Sequence, residues 1–419
     1  MSATFPTSLR DVPWPLVVVL GVLVLLPVGR VAELPVAIGA VAAIVLVARG
    51  RIDWRDDPVI RLAALLFACY WLPALLSCVA AVEPRHAWST AAATLRFLPF
   101  AAFVVWALRD ADRWGAVRLA VAVVVSLWII DAFVQMLTGN SLGGAAEAER
   151  LSGIFGAGNL KLGPVLAVLS PFALLASRER FGWRGLAVAF VAFAVPILLA
   201  GSRAAWLMYA IVCVAVAWRA ASGPRAFVLA LVGAAVVIGI AGTLAVRDSP
   251  GFAARVERSL LALRGTEHDV DAASAGRLGI WHTALAMSRA HPVTGVGVRG
   301  FRYAYPAYAA PHDRFVDAAS DTGASHAHQI VLEVLAETGI VGLAFWVAGV
   351  AFAIRAWRRA DANARERALA PGLALVAMCF PLNTHFAFYS AWWGLLFWWL
   401  IALWCAALGA GDAEKSPDA

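Results

Sequence analysis

His326 and His328, separated by one alanine in Ser325-His326-Ala327-His328-Gln329, stand directly before an apolar run that begins Ile330-Val331-Leu332. Imidazole titrates near neutral pH, so a histidine here can take a proton from a hydroxyl and return it. At the mouth of an apolar helix it can also meet something arriving from a bilayer. If the helix begins at Ser325, then His328, Leu332, Leu335 and Gly339 share one face and His326 points well away from it. On that pattern His328 is the candidate general base and His326 a neighbour that orients it or hydrogen-bonds. Glu333 and Glu337, one turn apart in the same run, are costly in an apolar setting unless paired or protonated. They either tune the histidine or bond to other helices. Gly339 and Gly342 would let a partner helix approach closely. His385, after Asn383-Thr384, is a third imidazole expected on the same side. A capped, structural histidine is the plain alternative for each of the three, and His328 is the one to which function is assigned first.

Four cations are placed oddly enough to be candidate functional groups. Arg203 follows Gly201-Ser202 at the start of an apolar span, Lys161 is one of only two lysines in the chain, and Arg96 lies inside a span. A lone cation at a helix end is commonly a snorkelling anchor, and a buried Arg96 must find an anion, for which Asp131 is available. Arg277 opens a helical pattern from Ala275 to about Ala290, in which Leu278, Trp281 and Leu285 recur at three- and four-residue spacing and Pro292 closes the segment. Such a helix would lie along a membrane surface. An arginine in a first turn is poorly placed for the helix macrodipole unless a phosphate is held by both; a solvated arginine is the alternative. Tyr303, Tyr305 and Tyr308, three of the six tyrosines, follow Thr294-Gly295-Val296-Gly297. Their rings would either stack on sugar faces or, the better fit, pack against the interfacial helix. His268-Asp269-Val270-Asp271 has the DxD form that holds a divalent metal in many glycosyltransferases, but the triplet is common by chance and no metal site is expected.

The elements that must position these groups are membrane spans. A chain of 419 residues with 62% hydrophobic residues and a mean hydropathy of +0.77 far exceeds what a soluble core requires. An all-α polytopic membrane protein is expected, with about twelve spans, centred near residues 21, 40, 70, 98, 125, 168, 192, 211, 236, 342, 378 and 400. Short separations near Arg30 and Thr384 imply tight turns. Residues 1–246 would hold the first nine spans, 247–327 a long outer loop with interfacial helices, 328–410 the last three spans and 411–419 a polar, disordered inner tail. Arginine placement orients the scheme: with both termini inside, inner loops collect Arg49, Arg51, Arg55, Arg109, Arg113, Arg178, Arg180, Arg184, Arg219, Arg225 and the Arg355–Arg367 group. The net charge of +7 is then mostly topology and attraction to inner-leaflet lipids, with no call for nucleic acid. Five cysteines without ligand spacing read as small apolar residues, and no cleavable signal peptide is expected.

Three blocks together resemble a known family. His328-Gln329, nine residues, then Gly339 to Gly342 is similar to the signature of bacterial O-antigen ligases and the related O-antigen polymerases. Gly201-Ser202-Arg203-Ala204-Ala205-Trp206 resembles their Ser-Arg element, and Gly276-Arg277-Leu278 through His291-Pro292 to Gly295-Val296-Gly297 their periplasmic-loop block. The resemblance covers about residues 150 to 345; elsewhere it rests on topology alone.

That resemblance implies a glycosyltransferase of a bacterial inner membrane, with its site facing the periplasm. It would need no nucleotide sugar, ATP, metal or other cofactor. The donor would be a glycan on undecaprenyl diphosphate and the acceptor of a ligase a sugar hydroxyl of the lipid A core. Arg203 and Arg277 would bind the departing diphosphate, with Lys161 and Arg96 as weaker candidates that come from the chemistry rather than from the motifs. His328 would deprotonate the acceptor hydroxyl, and one-step attack would invert the anomeric carbon. A polysaccharide polymerase or a protein O-oligosaccharyltransferase would use the same donor with another acceptor, although the protein-glycosylating relatives usually carry an additional soluble region. A lipid or polysaccharide transporter is the alternative of another class, but inverted repeats and broken polar midplane helices are not evident.

Overall fold

Proline in the first turn, or a side-chain acceptor just before it, starts several of the helices. Asp57 precedes α3 (Pro58–Ser77) and its carboxylate accepts the N–H groups of Val59 (2.8 Å) and Ile60 (3.0 Å). Ser202 and Ser390 do the same for later helices, satisfying donors that have no partner inside the helix. The computed structural model describes residues 13–146, 150–248, 250–261, 263, 265–266, 269, 271, 274–384 and 386–410. The tail from 411, His385, Glu267, His268 and Val270 lie outside the described residues.

Among the described residues the fold is all-α apart from one hairpin of two two-residue strands, and nine stretches are long and apolar enough to cross a bilayer. Two of the nine are double. Trp14–Ala48 is interrupted at Gly29 (φ 70°) and divides into α1 (Trp14–Leu25) and α2 (Glu33–Ala48). Leu162–Leu199, α7, is interrupted at Gly182 (φ 66°, ψ −153°). Glycine alone tolerates these dihedrals cheaply, so the spans expected near 21 and 40, and near 168 and 192, are the halves of these pairs. The expected span near 378 lies at the end of α14 (Ala362–Cys379), whose early turns carry Arg365, Glu366 and Arg367 and place it outside the nine.

Two units divide the chain. The first comprises residues 1–115, 276–369 and 386–419, with α1 to α3, α4 (Pro84–Thr94), α5 (Phe97–Ala107), α11 (Arg277–Ala290), α12 (Phe301–Tyr308), α13 (Ile330–Arg359) and α15 (Ala391–Gly409). Lipid tails are as apolar as leucine, so spans associate through close packing and interhelical hydrogen bonds rather than through the hydrophobic effect. Both are present around α15, the most enclosed span. Trp398 packs edge-on against Phe67 and stacks on Phe97. Trp399 donates to the Val19 carbonyl of α1 at 2.8 Å, and Tyr70 of α3 donates to the Phe388 carbonyl at 3.0 Å.

The segment between Gly276 and Gln329 builds a core of its own from Ile280, Ala284, Met287, Val296, Phe301, Ala304, Tyr305, Ala324 and Ala327, shared with Ala336 of α13. Thus α11 buries its Ile280, Ala284 and Met287 stripe, while Leu278, Trp281 and Leu285, the stripe marked by sequence spacing, stay half-buried.

The second unit comprises residues 116–275 and 370–385 and contains most of α6 (Ala111–Thr138), the hairpin β1 (Asn140–Ser141) and β2 (Gly144–Ala145), α7, α8 (Arg203–Ala220), α9 (Pro224–Asp248) and the amphipathic α10 (Pro250–Leu261). Gln135, 1% exposed, accepts the N–H groups of Ser152 (2.9 Å) and Gly153 (2.8 Å). Asp131 accepts Leu142 N–H at 2.7 Å. One turn of α6 therefore holds the loop after it. The five cysteines form no disulfide; Cys213 and Cys379 are half-buried rather than buried.

Candidate active site

The site begins with a broken helix. Within α13, Gly339 takes φ 65° and ψ −164°, which interrupts the hydrogen-bond ladder and strips partners from the carbonyls before it and the N–H groups after it. The segment Pro292-Val293-Thr294-Gly295-Val296-Gly297 supplies them. Val296 N–H donates to Ala336 O (2.8 Å) and Gly297 N–H to Glu337 O (3.0 Å), while Pro292 O accepts from Ile340 (2.9 Å) and Val293 O from Val341 (3.3 Å). Backbone meets backbone here, and glycine is required on both sides: a Cβ on Gly295 would strike the chain at Ala336–Thr338, and one on Gly339 the chain at Val293–Thr294. The close approach expected at Gly339 is real, but its partner is a loop, not a helix.

The break leaves a short first segment of α13, and the histidines sit just ahead of it. The helix starts at Ile330, not Ser325, because Gln329 in extended backbone (φ −161°) is its N-cap and accepts Leu332 N–H at 2.5 Å. His328 takes left-handed backbone, φ 52°. Its direction is therefore set by this turn and not by a helical face, which corrects the sequence pattern. His326 does not point away from it either: the two ring centroids lie 3.8 Å apart. His326 is 9% exposed with Nδ1 3.0 Å from Ser325 Oγ, and Ala327 between the two is fully buried in the small core. One buried methyl group anchors the turn that holds the two imidazoles together.

Arg277 occupies the first position of α11, after Gly276 in left-handed backbone (φ 77°). The Arg314 guanidinium packs against Gly276, leaving no room there for a Cβ. Two guanidiniums thus stand at one helix N-terminus, whose dipole favours anions. Ile280 of the same helix shares the core with Ala327, so one set of apolar contacts fixes both Arg277 and the histidine turn. Sequence reasoning missed Arg314, since no spacing marks it. Of the tyrosines, Tyr305 is fully buried and donates to Asp313 at 3.0 Å; Tyr308 bonds His291 at 2.8 Å; Tyr303 packs edge-on against His86. Packing accounts for the first two.

Arg96 joins α4 to α5 and pairs with Glu33 at 2.7 Å, its guanidinium lying over the Phe97 ring. The anion it finds is Glu33; Asp131 instead holds Leu142.

In the second unit Arg203 is the first residue of α8, behind the cap Ser202 and the left-handed Gly201. Helix α10 folds onto this turn. Arg255, 5% exposed, lays its guanidinium against Gly201, Arg203 Nη1 reaches Ser259 Oγ at 3.4 Å, and the Arg258 charge acts on Arg203. Arg255 and Arg258 were not marked by the sequence reading, because only the fold brings α10 to Arg203. Lys161 is the residue before α7, and partial burial lowers its ammonium pKa from the ordinary lysine value. Of His268-Asp269-Val270-Asp271, Asp269 accepts the Thr266 hydroxyl at 2.7 Å, and Asp271 is half-buried.

Residues 188–347 match the family model described as O-antigen ligase. The matched region contains Arg203, Arg277, His326 and His328, and excludes Arg96 and Lys161. A search of curated proteins gives no match.

Proposed function

We propose that this chain, which matches the O-antigen ligase family model over residues 188–347, transfers a glycan from undecaprenyl diphosphate to a sugar hydroxyl of the lipid A core. The reaction would take place at the periplasmic face of a bacterial inner membrane. The observation that carries this reading is the His326-Ala327-His328 turn, locked by Ala327 at the entrance to a broken helix inside the matched region.

In this mechanism His328 removes the proton of the acceptor hydroxyl as its oxygen attacks the anomeric carbon. The bond from that carbon to the diphosphate oxygen breaks, the configuration inverts, and undecaprenyl diphosphate leaves with the charge. His326, in ring contact with His328, orients it. Arg203 and Arg277 each bind phosphate oxygens, which the strong, forked hydrogen bonds of guanidinium suit. The first-turn position of Arg277, beside Arg314, supports its part in this; Lys161 is a further diphosphate contact. Arg96, already paired with Glu33, stands last among the four. Nothing in this scheme calls for a nucleotide or a metal.

The test is an assay with purified protein, undecaprenyl-diphosphate-linked glycan and lipid A core, with EDTA present and no nucleotide. Glycan on lipid A core upholds the ligase. Lengthening on the undecaprenyl carrier alone points to a polymerase, transfer to protein to an oligosaccharyltransferase, and no transfer at all to a transporter.

A further inference from the structure

Glu333 and Glu337 are both 0% exposed, one turn apart on the segment of α13 between His328 and the break at Gly339. Carboxylates in an apolar interior are expensive and persist where they hold something. Each of these faces a different loop. Glu337 Oε2 accepts the Arg299 N–H at 2.8 Å, and the Phe301 N–H is directed at the same carboxylate. Arg299 itself is held in left-handed backbone, φ 58°, which a non-glycine residue rarely adopts. Glu333 faces the backbone N–H groups of Phe388 and Tyr389. That second loop is tied down again by Tyr70, which donates to Phe388 O at 3.0 Å, and by Tyr389, whose hydroxyl lies 3.3 Å from Thr338 Oγ1.

We propose that Glu337 and Glu333 are positioning residues for His328: Glu337 staples loop 297–301 to the first segment of α13 through its bond from Arg299 N–H, and Glu333 lies buried against loop 386–390 from the same segment. Together they fix where the His326-Ala327-His328 turn stands. The chemistry explains why the residue is glutamate. A carboxylate offers acceptors only, so its two oxygens can take several N–H donors at once. Glutamine has nearly the same volume but one acceptor oxygen fewer and no charge, so its bond to the Arg299 N–H is the weaker, neutral kind. The role rests on His328 acting as the base.

The experiment uses the full-length protein in detergent with Glu337→Gln, Glu333→Gln and His328→Ala. Hydrogen exchange read by mass spectrometry is expected to quicken at 297–301 in Glu337→Gln and at 386–390 in Glu333→Gln. In the transfer assay each glutamine variant is expected to lose roughly ten- to a hundred-fold in kcat, the scale of a small misplacement of a reacting group, with donor KM little changed. A carboxylate that served stability alone would lower the melting temperature and leave kcat of the folded protein at the wild-type value. That result, or unchanged exchange at both loops, overturns the proposal. Should Glu337→Gln fail to fold, Glu333→Gln carries the same test at the other loop. Wild-type transfer by His328→Ala would remove the base instead, while the exchange data still decide whether the staples exist.

Discussion

Gly339 lies against the carbonyl of Val293 so closely that no Cβ fits between them, and this contact seats the loop 292–297 on the broken helix. Gly339→Ala faces two penalties: a left-handed backbone, and a collision with main chain that cannot rotate away. The first alone costs about 1–3 kcal/mol, because φ 65° with ψ −164° is a region only glycine adopts readily, and the second adds to it. We expect a lower melting temperature in detergent together with loss of transfer. Gly50 makes a control, since its φ is also positive (66°) but a Cβ there meets nothing within 4 Å; Gly50→Ala should show the backbone penalty alone and retain transfer.

If His328 is the base, His328→Ala should lower kcat by about 10²–10⁴-fold, the usual contribution of a positioned proton acceptor, with folding intact. His326→Ala should fall by less, because its contact with His328 orients rather than reacts. Equal losses in the two variants would shift the base assignment to the pair. Wild-type transfer by His328→Ala would end it.

The spans, the resemblance blocks and the histidine pair were legible in the sequence because each depends on local pattern: a run of apolar residues, a glycine where dihedrals demand it, an imidazole beside a helix. The start of α13 was not. Glutamine is not among the favoured N-caps, and His328 carries no sign that its backbone is left-handed, so periodicity ran the helix back to Ser325. His326 is buried beside Ala327, which settles into a core assembled largely from α11 and α12. Such a contact exists only after distant segments meet. The same holds for Arg96 with Glu33, 63 positions away, and for Arg255 against Gly201.

Arg203 and Arg277 should respond alike if both hold the diphosphate. Alanine at either is expected to raise donor KM, and lysine to recover only part of it, since an ammonium lacks the planar fork of a guanidinium. Arg96→Ala should behave differently. Its pair with Glu33 is about a quarter to a third exposed, so the change should cost about 1 kcal/mol of stability or less and leave donor KM near the wild-type value. A rise in donor KM for Arg96→Ala matching that of Arg203→Ala would place it among the donor contacts.

Lys161 gives the reading a pH dependence of known sign. Desolvation favours its neutral form, so its folded pKa lies below that of an exposed lysine. The ammonium is charged below that pKa and lost as pH rises through it, and this happens earlier on the alkaline side than for an ordinary lysine. If the charge helps to hold the diphosphate, donor KM should climb as pH moves from neutral to alkaline. Lys161→Arg keeps its charge throughout and should flatten that climb, whereas Lys161→Met should show the high KM already at neutral pH. Identical KM profiles for wild type and Lys161→Met would leave Lys161 as an anchor at the start of α7 with no contact to the donor.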